Sequence, residues 1–328
     1  MSKVSICIPT YNSDAYLEES LNSIQNQTYT NIEVIIGDNC SSDNTQAIIK
    51  RYADENNWSY VFNQQNIGAG LNMNKLISLA TGDFVAVYHS DDIYHPEIVA
   101  KSVSFFDQNQ DCGFVSTLAN LIDSNGEYLG ELELPSRLRN NIKCKYTFEE
   151  IFPAILDSFV PFLVTPTVMV PKKIYDKLGM FKINDKYKSA TDYEMWLRIL
   201  KEFPAGILPE PLIQYRKHAS QGSQMEIREN YGIPDGLNVY EEYAAGNRYF
   251  EKKYKRIFSW LIFLQVLKLN NARNFKESSK MVQRIHKHGN FKYGLFAGFF
   301  NLFNISSIRF NINFLDRFKG FFIKTKKR

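Results

Sequence analysis

Short apolar runs alternate with amphipathic stretches through the first hundred residues. Residues 4–9, 32–37, 58–62 and 84–88 are rich in β-branched and aromatic residues with no helical period, which predicts strands. Between them, 14–26, 44–54 and 70–80 read as helices. Leu17, Leu21 and Ile24 share one face of the first, and Leu71, Leu76 and Leu79 are the apolar positions of the third. Strands alternating with helices of this length indicate βαβ units and a mostly parallel sheet. Continuous apolar strands imply that both faces of that sheet are covered.

The pattern loosens afterwards. Residues 96–107 predict a helix, 113–118 a strand, and Asp123-Ser124-Asn125-Gly126 a turn. The charged, aperiodic stretch 130–146 reads as a surface loop. A helix over 148–158, a strand over 165–170, a helix over 192–202 and a short last strand over 212–216 follow. From about residue 236 the chain reads as all-helical. Its apolar stretches, 257–267 and 293–305, fall short of the ~18 residues of a membrane span. The division is therefore an α/β unit over 1–235, with a change of role near residue 100, and a helical extension over 236–328.

Charge sharpens this division. The 328-residue chain has a net charge of +4, but residues 251–328 hold 18 Lys+Arg against 3 Asp+Glu, leaving 21 against 32 in residues 1–250. The same tail carries 13 of the 25 Phe. Phe310, Phe314, Phe318, Phe321 and Phe322 recur at helical spacing, with Arg317, Lys319 and Lys324 among them. A basic, Phe-rich tail on an acidic body predicts interfacial helices on an anionic membrane surface. The acidic body and the lack of a recognised motif argue against a nucleic-acid partner. Cys7, Cys40, Cys112 and Cys144 show no CxxC spacing and no His cluster, which predicts buried, reduced thiols and a cytoplasmic setting. Met1-Ser2-Lys3 leads straight into the first strand, so no signal peptide is expected.

The strongest chemical signal is His89-Ser90-Asp91-Asp92, directly after the buried run 84–88. Two adjacent carboxylates at the carboxyl end of a buried strand need a counter-charge. A divalent cation holding a phosphate supplies one, and open α/β sheets bind ligands at that end of their strands. Four further clusters lie at predicted strand or helix ends. They are Pro9-Thr10-Tyr11-Asn12; Asp38-Asn39-Cys40-Ser41-Ser42-Asp43, where Ser42 or Asp43 can cap the next helix; Asn66-Ile67-Gly68-Ala69-Gly70; and Thr191-Asp192. A basic turn, Tyr215-Arg216-Lys217-His218-Ala219-Ser220, follows the last strand.

In order and spacing these clusters resemble the family 2 glycosyltransferases, inverting enzymes with a GT-A fold, over roughly residues 3–220. The resemblance implies a mixed, mostly parallel sheet flanked by helices, with the α-helical C-terminal region as an extension. Residues 1–99 would bind a nucleotide-sugar, and 100–235 would shape the acceptor side and carry the catalytic base. By the same resemblance Pro9, Thr10 and Tyr11 lie against the nucleotide, Asp38 contacts the nucleobase, and Asn66 and Gly68 line the nucleotide pocket. Asn74 and Thr81-Gly82-Asp83 also fit the family pattern. Ser90, Asp91 and Asp92 belong to the metal–diphosphate element, in which Asp91 matches the metal ligand and His89 stands at the position of the family's first Asp. Mn²⁺ or Mg²⁺ is the implied cofactor, and His ligation suits Mn²⁺ better. Arg216 and His218 match an Arg-x-His-x-x-Ser pattern, its serine being Ser220 or Ser223; Arg216 would clamp the diphosphate, and His218 is a further candidate ligand. Asp192 matches the general base, with Thr191 replacing the acidic residue before it; Trp196 and Arg198 read as structural.

A mechanism of this kind needs one base, because a metal rather than a second acid stabilises the departing phosphate. The resemblance therefore implies single displacement with inversion, from a UDP-linked sugar to a glycan or lipid-linked acceptor, on the inner face of the cell membrane. Two other readings compete with this one. A nucleotidyltransferase is disfavoured because Pro9-Thr10-Tyr11-Asn12 has neither a glycine nor a basic residue. A non-catalytic nucleotide-binding or scaffold protein on the same fold is the alternative that His89 and Thr191 keep open.

Overall fold

The computed structural model describes residues 1–158, 162–219, 221 and 235–289, with positions 292, 294, 295, 297 and 298 beyond them. The first half is β1 (Val4–Thr10), α1 (Leu17–Gln25), β2 (Ile32–Asp38), α2 (Thr45–Asn56), β3 (Ser59–Phe62), α3 (Ala69–Leu79) and β4 (Phe84–Val87). It follows the expected alternation closely. Next come β5 (Ile93–Tyr94), α4 (Ile98–Gln108), β6 (Phe114–Ile122), β7 (Tyr128–Leu132), α5 (Ser136–Arg139), β8 (Lys145–Tyr146) and α6 (Phe148–Ser158). The α/β part closes with β9 (Met169–Pro171), α7 (Lys172–Leu178), α8 (Thr191–Leu200) and β10 (Ala205–Arg216). Three helices follow: α9 (Gly236–Ala244), α10 (Arg248–Asn271) and α11 (Phe275–His288).

The strands form one sheet in the order β3-β2-β1-β4-β9-β6-β10-β5, with β7 on β6 and β8 on β10. β1 pairs in parallel with β2 and β4, and β2 with β3. β9 runs antiparallel to both β4 and β6, while β10 runs parallel to β6, so the sheet is mixed. Period-2 alternation feeds two cores: Cys7, Ile35 and Val85 face one, while Ile6, Ile8, Ile36 and Ala86 face the other. Strand order reverses at β1, with β2 and β3 added on one side and β4 on the other, which opens a crevice at the carboxyl ends of these parallel strands.

Four sequence expectations need correction. The 130–146 stretch is not a plain surface loop: it holds most of β7, α5 and β8, and buries Leu132, Leu134, Leu138 and Tyr146. Gly126, at φ +85°, closes the hairpin that folds β7 onto β6, and the buried positions are too unevenly spaced to show a period. The 165–170 strand is broken, because Pro166 sits in a 3-10 turn at Thr165–Thr167 and β9 starts only at Met169. β10 begins at Ala205, its first half masked in sequence by Pro209 and Pro211, where the register shifts. Cys7 and Cys112 are buried, but Cys40 and Cys144 are exposed.

The helical extension packs on the α/β unit. Phe250 of α10 meets the rings of Phe148 and Phe152 edge-on, and Lys253 pairs with Asp157 at 2.5 Å. The apolar stretch from 257 lies in α10, with Ile257, Phe258, Ile262 and Val266 buried in the core that also holds Val85 and Phe114. Among the described residues no helix is long and apolar enough to cross a membrane. The phenylalanines at 310–322 lie outside the described residues.

Glu33, near the start of β2, ties strands to the α3–β4 connection. Burial alone would raise its carboxyl, but hydrogen bonds from Lys3, Ser5 and Thr81 outweigh that and hold it at about 2. A depressed carboxyl stabilises the fold fully above its ordinary value of 4.5 and loses that contribution as pH falls toward about 2. Glu33→Gln should therefore flatten the acid limb of a denaturation profile in that window; an unchanged limb would show that Glu33 contributes nothing there.

Candidate active site

The parallel register sets Thr10, the last residue of β1, beside Asp38, the last of β2. Asp38 is fully buried. Its carboxylate accepts Thr10 Oγ1 at 3.3 Å, Ser41 N at 3.0 Å, Gln46 Nε2 at 2.8 Å and the Ser41 hydroxyl. An ionised carboxylate accepts about four hydrogen bonds, so this one is filled from within the chain. The turn it organises passes through Cys40 at φ +67°. Asn12 clasps the turn, its N–H donating to Ser41 Oγ at 2.8 Å and its Oδ1 accepting from Ser42 N at 2.9 Å. Neither candidate cap occupies the N-cap of α2, which is Asn44; Asp43, one residue earlier, accepts Thr45 N at 3.0 Å. Tyr11 stands half exposed beside the crevice.

Asn39, next to Asp38, is the centre of an amide network. Its Oδ1 accepts Ile67 N at 2.9 Å and Asn63 Nδ2 at 3.1 Å, and its Nδ2 donates to Asn66 Oδ1 at 2.7 Å. Asn66 Oδ1 also accepts Gly68 N at 2.8 Å. Gly68 has φ +86° with open space where a Cβ would stand, so conformation rather than room demands glycine. Lys75 and Asn72 complete the network through Asn63. Sequence reading missed Asn63, Asn72 and Lys75, because isolated polar residues carry no periodic signal. Asn74 lies just outside, clamping the Phe181 backbone at 2.8 and 3.0 Å.

After β4 the chain is held on several sides. The His89 N–H donates to Tyr94 Oη at 2.6 Å, and the His89 carbonyl accepts Ser20 Oγ at 3.1 Å. Ser90 Oγ lies 2.9 Å from Ser13 Oγ. Asp91 Oδ2 lies 2.8 Å from His218 Nε2. Burial alone would raise the Asp91 carboxyl, but the His218 hydrogen bond and the histidine charges hold it below the usual range. Desolvation lowers the His89 imidazole against the pull of Asp91. Asp92 is fully buried, and burial together with the Asp91 charge pushes its carboxyl well above the usual range. Its Oδ1 accepts Arg216 N at 2.9 Å, while its Oδ2 has no hydrogen-bond partner among the described residues. Ligand atoms of His89, Asp91 and Asp92 all lie within 4.8 Å of one another. One imidazole and two carboxylates, one of them with an orphaned buried oxygen, fit a divalent cation, with His218 adjacent.

Arg216 is 2% exposed at the end of β10. Its Nε donates to the Asp91 carbonyl at 2.9 Å, Nη1 to the Asp123 carbonyl at 3.3 Å and Nη2 to Glu19. The Tyr16 ring lies under the guanidinium at 4.7 Å and beside the His218 ring at 4.9 Å. Glu19 and Tyr16 were invisible as site residues, since both read as ordinary α1 positions.

Asp192 opens α8, half-buried, accepting Thr165 Oγ1 at 2.9 Å and Tyr193 N at 2.7 Å. β9 is antiparallel to β4, with Met169 opposite Ala86. The 3-10 turn ahead of β9 therefore lies beside the carboxyl end of β4, and Thr165 links Asp192 to the edge that carries His89–Asp92. Thr191 is buried. Trp196 packs on Phe114 and Phe181, and Arg198 holds the Met180 carbonyl at 2.8 Å, as expected of structural residues. Ser220 and Ser223 lie outside the described residues.

Residues 5–176, just over half of the chain, match the model for glycosyl transferase family 2, and the chain belongs to that family. An uncharacterized glycosyltransferase of Methanocaldococcus jannaschii is 29% identical over 271 residues, 80% of this chain and 86% of its own length. TuaG of Bacillus subtilis, named for teichuronic acid biosynthesis, is 29% identical over 216 residues, 65% of this chain and 78% of its own. Two solved structures share the GT-A fold. Staphylococcus aureus TarS 1–349 in complex with UDP superposes with a TM-score of 0.57 at 19% identity, covering 78% of this chain and 70% of that one. The mannosyltransferase PcManGT from Pyrobaculum calidifontis, in complex with GDP-Man and Mn²⁺, gives 0.58 at 15% identity, covering 97% and 84%.

Asp38→Asn would turn an amide N–H₂ toward donors. Leaving such buried groups unsatisfied costs about 1–3 kcal/mol. Chemical denaturation should show a loss of that order, and an unchanged midpoint would contradict the four-donor arrangement.

Proposed function

We propose that this chain is a metal-dependent, inverting glycosyltransferase. It moves a hexosyl or N-acetylhexosaminyl group from a nucleotide-diphospho sugar, UDP-linked, to a hydroxyl of a glycan or lipid-linked acceptor in surface polysaccharide or glycolipid synthesis. The observation that carries this reading is the meeting, at one sheet edge, of the His89–Asp91–Asp92 cluster and a single separate carboxylate, Asp192. The relatives support it: solved TarS structures hold UDP or UDP-GlcNAc, PcManGT holds GDP-Man and Mn²⁺, and TuaG is named for a cell-surface polymer.

Asp91 would hold the divalent cation, with His89, Asp92 and His218 as the further ligands the geometry offers. When bound, the cation supplies positive charge against the leaving diphosphate. The protein's own part is positioning and proton transfer. Pro9, Thr10, Tyr11, Asn66 and Gly68 border the nucleotide, and Ser90 lies by the phosphates. Asp38 reaches a nucleobase only where its longest hydrogen bond, from Thr10, gives way. Asp192 accepts the proton of the acceptor hydroxyl as that oxygen attacks the anomeric carbon from the face opposite the diphosphate. Thr165 keeps one Asp192 oxygen oriented. One displacement inverts the configuration, so an α-linked donor yields a β-linkage.

The basic tail is proposed to rest on the cytoplasmic face of the membrane, which would bring a lipid-linked acceptor to the site.

Asp192→Asn should lower turnover by about 10²–10⁴ without weakening donor binding. Asp91→Asn should abolish metal-stimulated turnover with UDP-sugars. Full turnover in either variant would remove that residue from the site, and a product that retains the donor's anomeric configuration by NMR would exclude single displacement. Replacing Lys324, Lys326, Lys327 and Arg328 with Glu in the full chain should reduce sedimentation with anionic vesicles; unchanged sedimentation would sink the anchor.

A further inference from the structure

Arg216 stands where a diphosphate clamp is expected, yet its donors point elsewhere. With 2% of its surface exposed, it offers little to a ligand in the crevice. Each nitrogen of its fork has a partner inside the chain: the Asp91 carbonyl, the Asp123 carbonyl in the β6–β7 turn, and the Glu19 carboxylate on α1. Its flat face lies over Tyr16. Its backbone N–H takes Asp92 Oδ1, which leaves Asp92 Oδ2 as the orphan oxygen 3.9 Å from His89 Nδ1. One residue thus fixes the Asp91 backbone and the Asp92 side chain together, and Tyr16 extends the same stack to the His218 ring.

We propose that Arg216, backed by Glu19 and Tyr16, is a positioning residue that sets the cation-binding geometry of His89–Asp92, and that it does not bind the diphosphate. The inference rests on the donor-site reading above. Three of its five N–H groups are taken within the chain and the residue is 2% exposed, so the guanidinium presents little to a phosphate oxygen. Lysine cannot substitute, because it lacks the planar fork that meets three acceptors at once. Glu19 is 54% exposed on its side chain, so Glu19→Gln weakens the arrangement without opening a cavity.

The test is calorimetric titration of the full chain with UDP, and with GDP, first without metal and then with Mn²⁺, comparing wild type, Arg216→Lys and Glu19→Gln. Residues that orient metal ligands typically change metal affinity by about 10–100-fold, so Arg216→Lys should weaken Mn²⁺ binding in the presence of nucleotide by about tenfold or more. Glu19→Gln should weaken it in the same direction by a smaller factor. Both variants should keep the metal-free nucleotide affinity of the wild type. A tenfold loss of metal-free nucleotide affinity in Arg216→Lys, with the Mn²⁺ response intact in both variants, would make Arg216 a phosphate ligand and overturn the proposal. A wild-type chain that binds neither nucleotide with Mn²⁺ would instead overturn the donor-site reading on which it rests. Should Arg216→Lys fail to fold, Glu19→Gln decides alone, since an unaltered Mn²⁺ affinity there contradicts the backing role.

Discussion

Two buried carboxylates at one sheet edge, Asp38 and Asp92, must be satisfied largely from inside the chain, and much of the site follows from how unequally that is done. A buried carboxylate without donors costs several kcal/mol, so each recruits its surroundings. Asp38 collects four donors and becomes the closed hub of a turn. Asp92 collects the Arg216 amide on one oxygen and leaves the other without a hydrogen-bond partner among the described residues. The first arrangement builds a wall of the crevice at the strand ends. The second leaves an electrostatic demand that a cation would meet.

That demand links the two halves of the sheet. β4 delivers His89–Asp92 from the parallel half, while Arg216 and His218 arrive from β10, on the far side of β9 and β6. Asp192 arrives by a third route, through the 3-10 turn before β9 and its hydrogen bond from Thr165. The antiparallel β9 is what brings these routes to one edge. The helices α9 and α10 brace the rear of this assembly: Tyr243 reaches buried Glu194 at 3.3 Å, and Phe250 closes on α6. Glu194 itself is balanced by Lys182 at 2.8 Å and Arg198 at 3.0 Å. The start of α8, with Asp192 on it, is thereby fixed from behind.

The parallel strands and their helices were legible because each is a single local pattern, an apolar run or a one-sided helical stripe. Elements whose burial depends on distant partners were not. Leu132, Leu134, Leu138 and Tyr146 are buried by neighbours remote in sequence, and Pro209 and Pro211 disguise a strand that tolerates them only at register shifts. The site divides in the same way. Asp91, Asp92 and Asp192 stand out because carboxylates at strand and helix ends are chemically conspicuous. Glu19, Tyr16, Thr165 and the Asn63–Asn72–Lys75 network do not, because nothing local separates them from surface or capping residues.

The sequence by itself determined the class of chemistry: a crevice at strand ends, an acidic pair in need of counter-charge and one detached carboxylate, in a chain that belongs to the family 2 glycosyltransferases. Only the tertiary structure decided which polar groups face into the crevice and which are consumed in building it. Asp38 and Arg216 carry the residue types of ligand contacts, yet their donors and acceptors are engaged within the chain. A residue's type states what it can bind, whereas its partners, assembled from segments up to two hundred residues apart, decide what it has left to offer.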